Sequence, residues 1–375
     1  MEKFSLTDIK KMNYSDVYHY IYTHDCCSKQ NIANDLKMSL PTVSQHLNAL
    51  TEQDLIEKSG QLSSQIGRKA AAYSIKPQAK VAFGVEILKS YTLITAVNLL
   101  GEAIDFLKVE ESFETTKNYF QTICNKILEF KESLNIEDEQ VLGIGIGLQG
   151  LVSGDGENII YGKILECTGV SIESFASHLP FPCRFIHDSE CAAFCDLWNN
   201  DTITDALYLS VGHHLGGALI LNKEISSGRT GRSGTFEHMT LVPDGKPCYC
   251  GRKGCMECYC SIQALLEDYS SKEMDVLFAN KDAGEAEATE KWEQFLNHLA
   301  TAINNLHMVI DCEVIVGGHI APYLKETDIQ KLHALIQERT AFPEKECFVI
   351  QGQRTKHAVA IGATLPYINE FLNNI

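Results

Sequence analysis

The chain has 375 residues, 45% hydrophobic and 22% charged, which fits two or three globular domains with a real core. No apolar run reaches the roughly 20 residues of a membrane span, and the opening MEKFSLTDIKKMNYSD lacks the apolar centre of a secretory signal. A formal charge of −17 argues against a chain coated in nucleic acid or anionic lipid, yet residues 1–80 carry a net of +2 and the rest −19, so two parts with different partners are expected.

In chain order, Ser15 is placed to cap a helix through about His24, with Val17 and Ile21 on one face. Ser28 caps a second through Leu36, whose buried side is Ile32, Ala33 and Leu36. Ser39 opens a third, with Pro41 in the first turn, where a missing N–H is harmless. Val43, Leu47 and Leu50 form its apolar stripe, leaving Thr42, Gln45 and His46 to face out. Two β-prone runs around a polar, Gly-containing tip follow, in DLIEKSGQLSSQIGRKAAAYSIK. Two helices joined by a tight turn, then a hairpin, describe a winged helix-turn-helix, expected over residues 1–78 with a linker around Ile75–Lys80.

From Val81 the pattern changes. VAFGVEI, TLITAVNL and AIDFLKV read as a meander of strands, followed by a helix near Lys117–Leu134 and a strand in VLGIGIGLQG. CRFIH is a strand running into the helix SECAAFCDLWNN. ALYLSVG is another strand, and GGALILN with EISSG makes a hairpin-like pair. Trp292, Phe295, Leu296, Leu299, Ile303, Leu306 and Ile310 stripe a long helix that feeds the buried strand EVIVGG, and a helix over about Ala358–Leu372 closes the chain. Strands and helices alternating twice over predict an α/β body of two lobes, residues 79–375.

Fourteen cysteines in a chain expected to be cytoplasmic, where disulfides are rare, direct attention to metal. In HMTLVPDGKPCYCGRKGCMECYC, His238 with Cys248, Cys250 and Cys255 supplies the ligand set of a closed, structural zinc (Zn2+) site, and Cys258 and Cys260 are spare thiols that could substitute.

The run G-T-F-E-H-M-T-L-V-P-D-G-x-x-C-x-C-G-x-x-G-C-M-E resembles the signature of the ROK family (repressor, open reading frame, kinase). IGIGLQGLV, FIHDSECAA and VIVGGHI fall where that family places its sugar-lobe, catalytic-loop and nucleotide-lobe segments, and the winged head matches its repressor branch. The resemblance implies a two-lobed, actin-like sugar-kinase fold with sugar and nucleotide meeting between the lobes. It carries the catalytic base onto Asp188, for which a helix N-cap is the structural alternative. It carries a sugar-hydroxyl acceptor onto Glu257, and it has His238 ligate with one ring nitrogen while presenting the other edge to the sugar. His187 and Glu237 stand where the family has Asn and Gly, and Thr235 where it has Glu.

The family's phosphate turns depart further. A turn that binds phosphate needs glycines so that backbone N–H groups can approach the oxygens. D-x-G-G-T is matched by Glu86-Ile87-Leu88-Lys89-Ser90, and G-T-G-x-G-G-G by Gly212-His213-His214-Leu215-Gly216-Gly217-Ala218; Gly317 and Gly318 survive on the adenosine side. The expected protein is therefore a DNA-binding regulator, a repressor, with Asp188 a vestigial base and no catalytic residue. Thr42, Gln45 and His46 would read base edges, while Arg68 and Lys69 on the wing would hold phosphates, as would Lys29 and Lys37. His187, Asp188, Glu237, His238 and Glu257 would hold a sugar or sugar-phosphate effector. The expected assembly is a homodimer or tetramer on a double-stranded operator, away from membranes. A sugar kinase with an appended DNA-binding head is the alternative.

Overall fold

The structure, a computed structural model, describes residues 5–24, 26–62, 70–198, 200, 202–353 and 356–375. Helix α1 (Leu6–Thr23) starts nine residues before the expected Ser15. Ser5 is its cap: the Ser5 hydroxyl accepts the Asp8 N–H at 3.1 Å, and the Asp8 carboxylate accepts the Ser5 N–H at 2.9 Å. The added turns are largely exposed, so no apolar stripe announced them. Strand β1 (Cys27–Ser28) leads into α2 (Lys29–Asp35), capped by Ser28, and α3 (Leu40–Glu52) is capped by Ser39. Strands β2 (Ile56–Leu62) and β3 (Ala70–Ile75) pair antiparallel, with β1 on the far edge of β3.

The first lobe contains β4 (Val81–Ile87), β5 (Thr92–Asn98), β6 (Ala103–Val109), α4 (Lys117–Ser133), β7 (Val141–Leu148), the small hairpin β8 (Leu151–Val152) and β9 (Ile159–Tyr161), α5 (Glu173–Ala176), β10 (Cys183–His187) and α6 (Asp188–Trp198). Its sheet runs β10-β7-β4-β5-β6, with β10, β7 and β4 parallel and the rest antiparallel. The second lobe contains β11 (Ala206–Val211), β12 (Leu215–Leu221), β13 (Glu224–Ile225), α7 (Glu257–Cys260), α8 (Ile262–Leu266), α9 (Met274–Asp282), α10 (Ala286–His307), β14 (Glu313–Gly317), α11 (Glu326–Gln337) and β15 (Val349–Gln351). Its sheet, β13-β12-β11-β14-β15, repeats the same design of three antiparallel strands extended by two parallel ones.

The last helix, α12 (Ala358–Asn374), returns to the first lobe and packs on β4, β7 and α6. Strand glycines permit this approach: a Cβ on Gly84 would collide with the Ala360 carbonyl, and one on Gly145 with the Ala363 carbonyl. On its other side α12 meets the head. Val17, Tyr18 and Ile21 of α1 share one buried cluster with Ile361, Leu365, Ile368 and Leu372. Tyr18 stands edge-on to Phe371, with centroids 6.5 Å apart, and the Tyr22 hydroxyl donates to the Leu99 carbonyl at 2.9 Å. The stretch expected as a linker is likewise tied down: Ile75 is buried, and the Pro77 carbonyl accepts the Leu99 N–H at 2.9 Å.

Candidate functional site

Strand β10 ends and α6 begins at the His187–Asp188 junction, so Asp188 is delivered to the space between the lobes. Its Oδ1 accepts the Ser189 N–H at 2.8 Å and lies 3.4 Å from His187 Nε2. Glu86, at the end of β4, feels the Asp188 charge; burial first, and that charge second, push its carboxyl up to about 7. Glu237 is 7% exposed, its Oε2 has no hydrogen-bond partner among the described residues, and burial raises it to about 7 as well.

Glu257 is 5% exposed and each oxygen already has one partner: His214 Nδ1 lies 2.7 Å from Oε1, and the Leu215 N–H donates to Oε2 at 2.6 Å. His214, in the turn from Gly212 to Ala218, thus reaches the residue expected to accept a sugar hydroxyl. Tyr249 joins it, standing edge-on between His214 and His238 with centroids 5.4 and 5.2 Å away. Neither His214 nor Tyr249 was named as a site residue from the sequence. Tyr249 carried a usable signal, since it lies between two ligand cysteines.

Three backbone donors of the two turns are already engaged. Gly212 N–H donates within its own turn, to the carbonyls of Ser210 and His214 at 3.1 Å each, and the Leu215 N–H serves Glu257. In the first turn the Leu88 N–H donates to Tyr91 at 3.1 Å. These three groups offer nothing to a phosphate oxygen.

The four sequence-assigned metal ligands converge. His238 Nδ1 lies 3.8 Å from Cys248 Sγ, the Cys250 and Cys255 sulfurs are 3.7 Å apart, and all four donor atoms lie within 4.8 Å of one another. Tetrahedral zinc with bonds of about 2.0–2.3 Å requires donors roughly 3.5–3.8 Å apart, so the set fits the ion. His238 Nε2 remains on the cleft side, 3.9 Å from Glu237 Oε1. Of the spare thiols, Cys258 donates to the Pro247 carbonyl and lies against Cys248 at the edge of the set, and Cys260 is fully buried.

In the head, Gln45 is exposed on α3 and Thr42 half-buried, its hydroxyl 2.8 Å from that of the Ser39 cap. His46 corrects the sequence reading. It is 7% exposed, edge-on to Tyr14 with centroids 6.1 Å apart, and therefore not available to a base edge. Three residues after Val43 and one before Leu47, it lies on the buried stripe, and α1 covers it. Asn48, three residues beyond Gln45, is exposed on the face His46 was expected to share. Arg68 and Lys69 lie outside the described residues.

No described helix is long and apolar enough to cross a membrane. The ROK family profile matches residues 85–368, and that of the arsR family of bacterial regulatory proteins matches residues 25–58. The chain is similar to the xylose repressor of Caldicellulosiruptor bescii, 22% identical over 400 residues that cover 98% of each chain. It also resembles the N-acetyl-D-glucosamine kinase of Yersinia pseudotuberculosis, 29% identical over 223 residues, covering 53% of this chain and 73% of the kinase. In three dimensions it matches a crystal structure of a ROK family transcriptional regulator, a homologue of the E. coli MLC protein, with a TM-score of 0.76 at 19% identity over 98% of this chain and 97% of the other.

Proposed function

The chain belongs to the ROK family, and on that premise we propose that it is a cytoplasmic DNA-binding repressor that answers to a sugar-like effector. The observation that carries this reading is a helix-turn-helix head, with Gln45 and Asn48 outward on α3, sharing one core with α12 of the two-lobed body. Helix α12 packs along α6, whose first residue is Asp188, so a change in the cleft has a continuous packed route to the head. The similarity to a xylose repressor along nearly the whole chain supports the same reading.

Effector binding falls to Asp188, His187, Glu237 and the Nε2 edge of His238, whereas Glu257 acts through His214. Zinc, when bound to His238, Cys248, Cys250 and Cys255, supplies a structural crosslink that holds the His238 ring in the cleft. A homodimer or tetramer presents two copies of α3 to an inverted repeat. Phosphoryl transfer is not its role, because positioned phosphate donors make up most of that catalysis and three backbone donors here are already bonded.

The test is to select the bound DNA sequence from random duplexes, then to challenge that complex with neutral and phosphorylated sugars. Failure to enrich any sequence overturns the reading. A kinase is the rival, favoured by Asp188 standing at the cleft. Sugar-dependent ATP turnover near one per second, lost in Asp188→Ala, would establish it.

A further inference from the structure

A cavity of about 320 Å³ lies against the edge strand β10, bounded by the Ser153–Gly156 turn, one face each of α6 and α12, and the Lys223–Gly231 stretch of the second lobe. His187 reaches it; Glu86, Asp188, Glu257 and the zinc ligands do not line it. Its volume is at the small end of the roughly 300–1,000 Å³ usual for small-molecule sites.

The walls carry hydrogen-bonding capacity that the protein leaves unused. Glu190 of α6 and Asn369 of α12 make no side-chain hydrogen bond among the described residues. Pro366, inside α12, has no N–H, so the carbonyl of Gly362 loses its helical donor, and both residues face this cavity. Arg184 brings a guanidinium to the wall, stacked over Tyr367 at 4.3 Å. Acceptors at Glu190 and Gly362, with an amide that both donates and accepts, call for hydroxyl groups. Phe194 and Pro366 offer an apolar surface for a C–H face. Three carboxylates, of Asp155, Glu190 and Glu224, outnumber the two cations Arg184 and Lys223, which disfavours a phosphate.

We propose that this cavity is a second ligand site, selective for a neutral, hydroxyl-rich molecule of monosaccharide size, which adjoins the cleft at His187 and binds without Asp188. The experiment is calorimetric titration of the full chain with D-xylose, D-glucose, N-acetyl-D-glucosamine, myo-inositol and D-glucose 6-phosphate. Wild type is compared with Glu190→Ala/Asn369→Ala, with Glu190→Gln/Asn369→Gln and with Asp188→Ala. At least one neutral ligand should bind wild type and Asp188→Ala alike, weaken tenfold or more in the double alanine variant, and weaken less in the amide variant. Both double variants should keep wild-type operator affinity and thermal midpoint, since Glu190 and Asn369 are half-buried side chains on a cavity wall.

No binding of any neutral ligand to wild type overturns the proposal. So does binding lost in Asp188→Ala but retained in the double alanine variant, a result that would favour the cleft instead. Cavity-dependent binding that is tighter for glucose 6-phosphate than for glucose overturns the stated selectivity. The cleft reading is judged separately, on ligands whose binding Asp188→Ala removes.

Discussion

His214 Nδ1 lies 2.7 Å from Glu257 Oε1, so the turn from Gly212 to Ala218 reaches a buried carboxylate at the start of α7. With the Leu215 N–H on the second oxygen, each oxygen of this buried carboxylate has a partner within the protein. A sugar hydroxyl would share Glu257 with two bonds already made inside the protein, and gains less from it than from an unpaired carboxylate.

That relationship predicts opposite effects on stability and binding. His214→Ala leaves Glu257 buried with one oxygen unpaired, at a cost of about 1–3 kcal/mol. Urea unfolding should show the loss, and His214→Gln, which keeps a donor, should recover part of it. Sugar binding in the cleft should strengthen in His214→Ala; unchanged stability and unchanged binding would contradict the role assigned to the pair.

The buried position of His46 separates two neighbours on one helix. Gln45→Ala should relax base preference at one position of each half-site, by roughly 1–3 kcal/mol if the contact is bidentate. His46→Ala should lower the stability of the head and weaken all duplexes equally, because the lost contact is with Tyr14. Binding measured on the selected operator and on single-base variants distinguishes the two patterns.

Zinc content follows from the donor geometry. Purified protein should carry about one zinc per chain by elemental analysis, and Cys250→Ser should lose it. Strong chelation should loosen the stretch from His238 to Cys255, read as faster hydrogen exchange there, because metal binding and local folding are coupled.

Asp196 gives a pH signature. It is 3% exposed, its Oδ2 accepts the Gln353 N–H at 3.0 Å, and burial raises its carboxyl to about 7 from an ordinary 3.8. Between those values the folded state holds the proton more tightly than the unfolded chain, so this group's stabilisation is full below about pH 4 and is lost as pH rises through 7. Asp196→Asn keeps an acceptor for Gln353 and removes the charge. The variant should gain on the order of 2–4 kcal/mol on wild type between pH 5 and pH 8, measured by denaturant midpoints.

The contact between Tyr18 and Phe371 predicts a loss of communication. Phe371→Ala should leave operator binding near the wild-type value without effector and reduce the change that effector produces. An unaltered effector response, with the variant folded, would remove α12 from the route.

Much of this was legible along the chain because its causes are local. Ser28 and Ser39 cap the helices that follow them, the strands of both lobes are short apolar runs between polar breaks, and the metal ligands fall within one stretch from His238 to Cys255. The tertiary structure decided what depends on partners far away in sequence. Residue spacing set His46 facing out, whereas the packing of α1 over α3 buries the ring. Glu257 is captured by a residue 43 positions earlier, and α12 settles on glycines of β4 and β7 more than 200 residues before it. The cavity beside β10 is assembled from four separated segments, and its lining groups come together only when those segments close on one another. Periodicity reports which side of an element is apolar; which element covers that side, and which polar group meets which, is set by the packing of the whole chain.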